Sequence, residues 1–196
     1  MPRSRQNNNL REQLLVEGYD AFLHNGYHGT GLKEVLDRLR IPKGSFYNYF
    51  ESKEAFGVAV IRYYSDCLDQ KLTSALKGSP DPLAGLRQFF QRLMTEFERA
   101  NYTGGCLVAN LGAELEGSEV CREALATALL GWRDDICKVL RQAQAQGLVR
   151  ADMPAETLSD MLINTWEGAV IRMKLERSLA PLQQCLQLLL DDYFQP

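Results

Sequence analysis

The chain has 196 residues, of which 45% are hydrophobic and 24% are charged, and this composition is typical of an ordinary globular protein. The first residues are polar and basic, and neither a signal peptide nor an apolar stretch of membrane-spanning length is visible. We therefore expect a cytoplasmic protein with no membrane partner. The five cysteines and two histidines form no CxxC motif or Cys/His cluster, so we predict no zinc site, disulfide framework or cofactor.

The charges are distributed unevenly along the chain. Residues 1–54 carry eight Lys/Arg and seven Asp/Glu, a net charge of +1, whereas the remaining residues carry fourteen and eighteen, a net charge of −4. This distribution fits a two-part protein in which only the N-terminal end approaches phosphate groups. An evenly solvated surface would give a similar distribution, so the charge alone does not decide between the two.

The N-terminal quarter of the chain predicts short helices. Apolar residues spaced three or four apart predict a first helix over 9–25, which Gly26 ends. Thr30 is predicted to cap a second short helix, and the Ile41-Pro42 step separates it from a third over 43–49. Ser52 then caps a fourth helix that extends to about residue 77. The buried stripe of the first helix comprises Leu10, Leu14, Gly18, Ala21 and Phe22.

The rest of the chain is also predicted to be helical, which gives an all-α protein of about nine helices. Further helices are expected over 83–100, from Cys106 to about 116, over 118–146, and after Pro154 and Pro181. The last two helices are apolar on many faces, and pairing with a symmetry-related copy would bury that surface. The alternative is that these two helices simply cover their own domain.

The segment 30–57 has the pattern of a helix-turn-helix. Two short helices are separated by a tight turn at Arg40-Ile41-Pro42, and the second helix of such a motif lies in the major groove of DNA. We predict a DNA-binding domain over residues 1–52 and a ligand-binding and dimerisation domain over residues 53–196. The expected partners are a double-stranded DNA operator, a small-molecule inducer and a second copy of the chain.

Within this motif the residue types suggest separate roles. Phe46 and Phe50 lie four apart and are expected in the core, whereas the amide of Asn48 can pair with the edge of adenine. Lys53 is expected to bind a phosphate at the start of the fourth helix, although any single lysine or tyrosine on a helix is commonly just solvated. The predicted DNA-binding residues are Thr30, Lys33, Lys43, Gly44, Ser45, Tyr47, Asn48, Tyr49 and Lys53.

The sequence PKGSFYNYFESKEAFG resembles the signature of the TetR family of transcriptional regulators, and the resemblance extends over the chain's length and helical layout. It implies a repressor that dimerises through its last two helices and binds a palindromic operator. GCLVANLGAEL at 105–115 and WEGAVIRMKLERSLAPL at 166–182 resemble the branch that includes NemR and AcuR, whose members respond to reactive electrophiles or small unsaturated acids. Asn48 stands where such sequences frequently have histidine, which leaves the operator sequence open.

Several residues of the second domain are candidates for ligand sensing. Cys106 follows two glycines at a predicted helix start, where a thiolate is favoured, and Lys174 can stabilise it. The alternative is that Cys106 is a small buried hydrophobic residue. Glu167 and Arg172 form a polar pair on an otherwise apolar helix, and such a pair needs a partner across a dimer or in a ligand. The predicted sensing residues are Cys106, Asn110, Trp132, Trp166, Glu167, Arg172 and Lys174.

An enzyme is the least favoured alternative. The chain has no Ser-His-Asp set and no glycine-rich phosphate loop, and its carboxylates, such as Glu114 and Glu116, do not share a helix face. A covalent switch that acts through Cys106 is a closer alternative to a noncovalent ligand sensor, and a purely structural interaction protein is a third.

Overall fold

The structure is a computed structural model, which describes the backbone of residues 3–196 and the side chains from residue 9 onward. Nine α-helices account for nearly all of its regular structure, and no β-strand is present in this described part. The all-α prediction is therefore confirmed. The helices are α1 (Arg3–Gly29), α2 (Leu32–Leu39), α3 (Lys43–Phe46), α4 (Lys53–Lys77), α5 (Pro82–Arg99), α6 (Leu107–Gly112), α7 (Glu119–Ala145), α8 (Ala155–Glu176) and α9 (Ala180–Leu186), which continues as a π-helix over Gln187–Tyr193.

The helices assemble into two compact units that are each built from two stretches of the chain. The first unit combines Met1–Ser65 with Leu107–Ala128, and the second combines Asp66–Cys106 with Leu129–Pro196. Helices α4 and α7 each contribute to both units. The unit that contains the helix-turn-helix is thus larger than residues 1–52, because it includes α6 and the start of α7.

An aromatic cluster forms the centre of the first unit. Phe22 from α1, Phe46 from α3, Phe50 from the following turn and Phe56 from α4 are each at most 5% exposed. The ring centroids of Phe50 and Phe56 lie 4.9 Å apart, and Phe46 lies 5.4 Å from each of these two. Aromatic rings at these separations add specific attraction to the burial of their large apolar area. The prediction that Phe46 and Phe50 belong to the core is confirmed.

The end of α1 differs from the prediction. The helix extends to Gly29 and is broken inside by Gly26, whose φ of 73° is accessible mainly to glycine. The predicted capping of the second helix by Thr30 is wrong, because Gly31 precedes α2 and makes no side-chain cap. Thr30 is 1% exposed, and its hydroxyl lies 3.1 Å and 2.7 Å from the carbonyl oxygens of Ala21 and Gly26. Its hydroxyl is therefore directed at backbone carbonyls on either side of the break in α1.

The predicted cap of α4 is confirmed, because the Ser52 hydroxyl accepts a hydrogen bond from the backbone N–H of Ala55 at 3.0 Å. In the second unit, Trp166 of α8 is 1% exposed and its ring lies 4.5 Å from that of Phe90 on α5. None of the helices in the described part of the chain combines the length and the apolar character that crossing a membrane requires.

Replacement of Gly18 is expected to destabilise the first unit. A Cβ atom at this position would collide with the ring of Phe56 and lie 2.9 Å from Cγ2 of Val60. Because overpacking a core costs about 1–3 kcal/mol, Gly18→Ala should lower the free energy of unfolding by that amount in urea denaturation. Gly131→Ala is the matched control, since no atom lies within 4 Å of its added Cβ. A Gly18→Ala variant as stable as the control would contradict this packing.

Candidate DNA-binding and sensor sites

The turn of the helix-turn-helix forms at the predicted residues. Arg40 ends α2 in the left-handed conformation, with φ of 56°, and the N–H of Ile41 donates to the carbonyl of Leu36 at 2.9 Å. Pro42 then precedes α3 with an extended backbone. Helix α3 comprises a single turn, and the chain continues through hydrogen-bonded turns as far as Tyr49, so the predicted third helix was too long.

The outer side of this motif carries most of the predicted DNA-binding residues. Tyr47 is 51% exposed, and Lys33, Lys43, Gly44 and Asn48 are also exposed. Helix α3 is thus anchored by Phe46 on one side and presents polar groups on the other. Ser45 and Tyr49 are half-buried.

A surface groove of about 620 Å³ lies between α2 and the turn. Two cationic side chains line it, Lys33 from α2 and Lys43 from α3, together with apolar residues that include Leu36 and Ile41. The acidic side chain of Asp37 also lines it. The structure therefore brings together two of the predicted DNA-binding lysines, which are ten positions apart in the sequence.

Two predicted DNA-binding residues have partners within the first unit. Thr30 is buried, as described above, so the prediction that its side chain flanks the DNA groove is corrected. Lys53 donates to the carbonyl of Tyr27 at 2.6 Å, and its ammonium lies 4.3 Å from the centre of the Tyr27 ring. Burial lowers the pKa of Lys53, and the nearby Glu114 carboxylate partly opposes this effect. Its ammonium therefore holds the end of α1 to the start of α4.

The Glu114 anchor is a feature of the first unit that sequence reasoning missed. The Glu114 carboxylate accepts a hydrogen bond from the N–H of His28 at 2.9 Å, and its backbone carbonyl lies 3.0 Å from Nε2 of the same histidine. The absence of a side chain at Gly26 makes this possible, because a Cβ there would collide with the carboxylate. Nearby, the Asn110 amide lies 3.5 Å from the carbonyl of Leu23. The segment after α6 is thus fastened to the end of α1.

Cys106 lies in a glycine-containing loop that presses against α8 within the second unit. Gly105 has a φ of 91°, and a Cβ on it would lie 3.0 Å from Cγ1 of Val170 and 3.3 Å from Cδ of Lys174. Only a glycine permits so close an approach in this conformation. Cys106 is 5% exposed and lies just before α6, so the predicted position at the first helical residue was one residue too early.

Glu167 of α8 is a buried carboxylate beside this loop. Both of its oxygens are sealed from solvent and neither receives a well-formed hydrogen bond from the described residues. Burial raises its pKa from 4.5 to about 7, and a hydrogen-bonding interaction with the Cys106 thiol pulls the value partly back. A carboxyl group in this environment exchanges its proton near neutral pH.

The other predicted sensing residues are dispersed. Trp132 is 5% exposed and its indole N–H has no acceptor among the described residues. Arg172 lies on the exposed side of α8, where it pairs with Glu176 at 2.8 Å. A partner for Arg172 across a dimer or in a ligand stays a prediction. Lys174 is also exposed. Asn110 belongs to the first unit.

A second surface groove, of about 590 Å³, lies between the loop after α7 and the C-terminus. Its polar lining residues include Gln144, Arg150 and Asp192. None of the predicted sensing residues lines this groove.

The buried charge at Glu167 is expected to make stability depend on pH. Because the pKa in the folded protein, about 7, lies above the ordinary 4.5, the folded state binds this proton more tightly than the unfolded state. Stability should therefore fall as pH rises from about 4.5 to about 7 and then level off, with a total loss of about 3 kcal/mol. Because Glu167→Gln has no carboxyl group to ionise at this position, its free energy of unfolding should exceed that of the parent at pH 8 but not at pH 4.5. A difference that is independent of pH would contradict this assignment.

Comparison with known proteins identifies both parts of the chain. Residues 14–60 match the family described as bacterial regulatory proteins, tetR family, and residues 82–189 match the tetracyclin repressor-like C-terminal domain. The transcriptional regulator AcuR of Cereibacter sphaeroides is 38% identical over 92% of this chain and 84% of its own length. The transcriptional repressor DhaR of Mycobacterium sp. strain GP1 is 35% identical over 90% and 88%.

A solved structure agrees with the fold. The crystal structure of the reduced form of Escherichia coli NemR is 31% identical to this chain, covers 96% of it and 98% of its own chain, and superposes with a TM-score of 0.87. Both domains of the chain thus have counterparts in proteins that regulate transcription.

Proposed function

Because this chain belongs to the TetR family of transcriptional repressors, we propose that it binds a palindromic operator as a homodimer and is released by a small-molecule inducer. The chain carries the family's helix-turn-helix domain, and it is a regulator and not an enzyme. The operator, the dimer and the inducer are the proposed part.

The observation that supports operator binding most directly is the two-sided arrangement of α3 and the turn that follows it. Phe46 is buried in the aromatic cluster, whereas Lys43, Tyr47 and Asn48 are exposed on the outer side. A helix held in this way presents its N-terminal residues to base edges and phosphates in the major groove. Lys33, across the groove from Lys43, provides a second cation for the backbone.

The apolar surface of the last helices supports dimerisation. Ile171 and Leu175 of α8 are 56% and 80% exposed, and Leu188, just after α9, is 52% exposed. Large exposed apolar patches on neighbouring elements mark sites of contact with other proteins. A second copy of the chain would cover them, and two heads related by a two-fold axis would match a palindromic operator.

The inducer is proposed to bind in the second unit near Trp132 and Trp166. The indole N–H of Trp132 is a buried donor without an acceptor among the residues that the structure describes, and leaving such a group unpaired costs free energy that a ligand oxygen would recover. The resemblance to the NemR and AcuR branch favours a small unsaturated acid or an electrophile. An inducer acts by binding more tightly to the form of the dimer that does not fit the operator.

A covalent switch at Cys106 is the second candidate. Its support is the loop that carries Cys106: a Cβ on the preceding Gly105 would lie 3.3 Å from Cδ of Lys174, and a nearby cation favours the reactive thiolate. The solved structure of the relative NemR is of its reduced form. The noncovalent inducer and the covalent switch differ in whether release from the operator requires the Cys106 thiol.

Removal of the exposed lysine of α3 is expected to weaken operator binding. Because each phosphate contact contributes to affinity and releases a counterion, Lys43→Ala should lower affinity about tenfold and reduce the slope of log K against log salt by about one per head. The measurement is fluorescence anisotropy on the DNA upstream of the gene for this protein, at two salt concentrations. Lys77→Ala removes the same charge from the end of α4 and should leave binding unchanged; equal effects of both variants would sink the proposed interface.

Replacement of Cys106 is expected to separate the two kinds of inducer. In the same anisotropy assay, Cys106→Ser should abolish release by N-ethylmaleimide, because serine does not add to the maleimide, and should keep most of the release by acrylate. Cys67→Ser is the matched control, since Cys67 is the one half-buried cysteine and the other four are buried. Release by N-ethylmaleimide that persists in Cys106→Ser would remove the covalent candidate, and release by neither compound would remove both inducers.

A further inference from the structure

We propose that Arg11 of α1 binds a phosphate of the operator, on the DNA strand opposite to the one that Lys33 and Lys43 contact. It would hold the far end of the helix-turn-helix on the DNA, while the two lysines hold the near end. This contact rests on the operator binding proposed above, and it adds a DNA-binding residue that lies outside the helix-turn-helix motif.

Arg11 is an exposed cation that an aromatic ring holds beside the end of the helix-turn-helix. Its guanidinium carbon lies 5.5 Å from the centre of the Phe50 ring, which is within the range of cation–π attraction. Phe50 is 5% exposed, and its ring packs against those of Phe46 and Phe56. The guanidinium is thus positioned by the aromatic cluster that also positions α3. A cation positioned in this way loses less side-chain freedom when it binds a phosphate.

The charge of Arg11 is not neutralised by carboxylates, in contrast to that of another arginine of the first unit. Arg38 of α2 lies within 3.4 Å of three carboxylates, those of Glu17, Asp20 and Glu34. In the part of the chain that the structure describes, Arg11 forms no ion pair, either with the adjacent Glu12 or with Glu51, which follows Phe50. Its positive charge is therefore available to a phosphate.

The position of Arg11 complements that of the two lysines. Lys33 and Lys43 line the groove between α2 and the turn that precedes α3. Phe50 lies two positions after the exposed Asn48, so Arg11 is placed at the other end of the segment that faces DNA. The major groove is about 12 Å wide and has a phosphate backbone along each side, so a helix that enters it lies between two strands. Cations at both ends of the segment can therefore bind one strand each.

A purely structural role for Arg11 makes a different prediction. If Arg11 only shielded the ring of Phe50 from water, its loss would weaken DNA binding through a shift of α3. The dependence of binding on salt would then stay the same, because counterions are released only where a cation neutralises a phosphate. The salt dependence of binding therefore separates a phosphate contact from a packing role.

The test is fluorescence anisotropy of the full chain on the DNA upstream of its gene, over a series of salt concentrations. Arg11→Gln should lower affinity about tenfold and reduce the slope of log K against log salt by about one per head, because each head loses one phosphate contact. Arg11→Lys keeps the charge and should keep the slope of the parent.

Arg62→Gln is the matched control. Arg62 is exposed on α4 in the same unit, and it forms no ion pair among the described residues. It lies about 14 Å along α4 from the first residue of that helix. Its replacement removes the same charge and should leave both affinity and slope unchanged.

Ethylation of the DNA phosphates identifies the contact directly. In Arg11→Gln, one phosphate per half-site should no longer interfere with binding when ethylated, and it should lie on the strand opposite to the one affected in Lys43→Ala. An unchanged slope in Arg11→Gln, equal effects of Arg11→Gln and Arg62→Gln, or a lost phosphate on the same strand as that of Lys43→Ala overturns the proposal. Arg11→Met is judged by the same outcomes if Arg11→Gln does not fold. A parent chain that does not bind this DNA refutes operator binding itself, and this contact with it, before any variant is compared.

Discussion

The packing of four phenylalanine rings in the first unit fixes the geometry on which DNA recognition depends. Helix α3 is a single turn, and a helix this short has no stability of its own in water. Its position comes from Phe46, which is fully buried against Phe50 and Phe56. The exposed groups of α3 are therefore placed by the core beneath them. The same rings join α3 to α1 and α4, so these two long helices fix the orientation of the exposed side of α3.

The sequence predicted those features of the fold that depend on local patterns. Helical periodicity gave the number of helices, the spacing of Phe46 and Phe50 gave their burial, and Ser52 capped α4 as expected. Features that depend on distant contacts were not predictable in this way. Glu114 and His28 are 86 positions apart, and nothing in either local sequence indicates that they meet. The roles assigned to Thr30 failed because residue type alone does not give burial or partners.

The second unit keeps a titratable group where an uncharged residue would be more stable. The carboxylate oxygens of Glu167 are buried and have no well-formed hydrogen bond from the described residues. Burial raises the pKa of Glu167 to about 7, which lies in the range of cellular pH. Perturbed groups of this kind concentrate at functional sites. Glu167 and the indole N–H of Trp132, which has no acceptor among the described residues, both lower the stability of the second unit. This cost is consistent with a functional role for these groups. Neither property was visible from the spacing of residues in the sequence.

The Glu114 anchor also bears on how regulators of this kind can be recombined. The segment Leu107–Ala128 belongs to the same compact unit as the helix-turn-helix, and Glu114 holds it to His28 at the end of α1. A chimera that exchanges only residues 1–52 with those of a relative would replace one side of this contact and keep the other. The end of α1 from the relative would then lie against a Glu114 carboxylate whose original partner, His28, has been replaced. Exchanging the head together with residues 107–128 preserves the contact and so defines the natural unit for transplanting operator specificity.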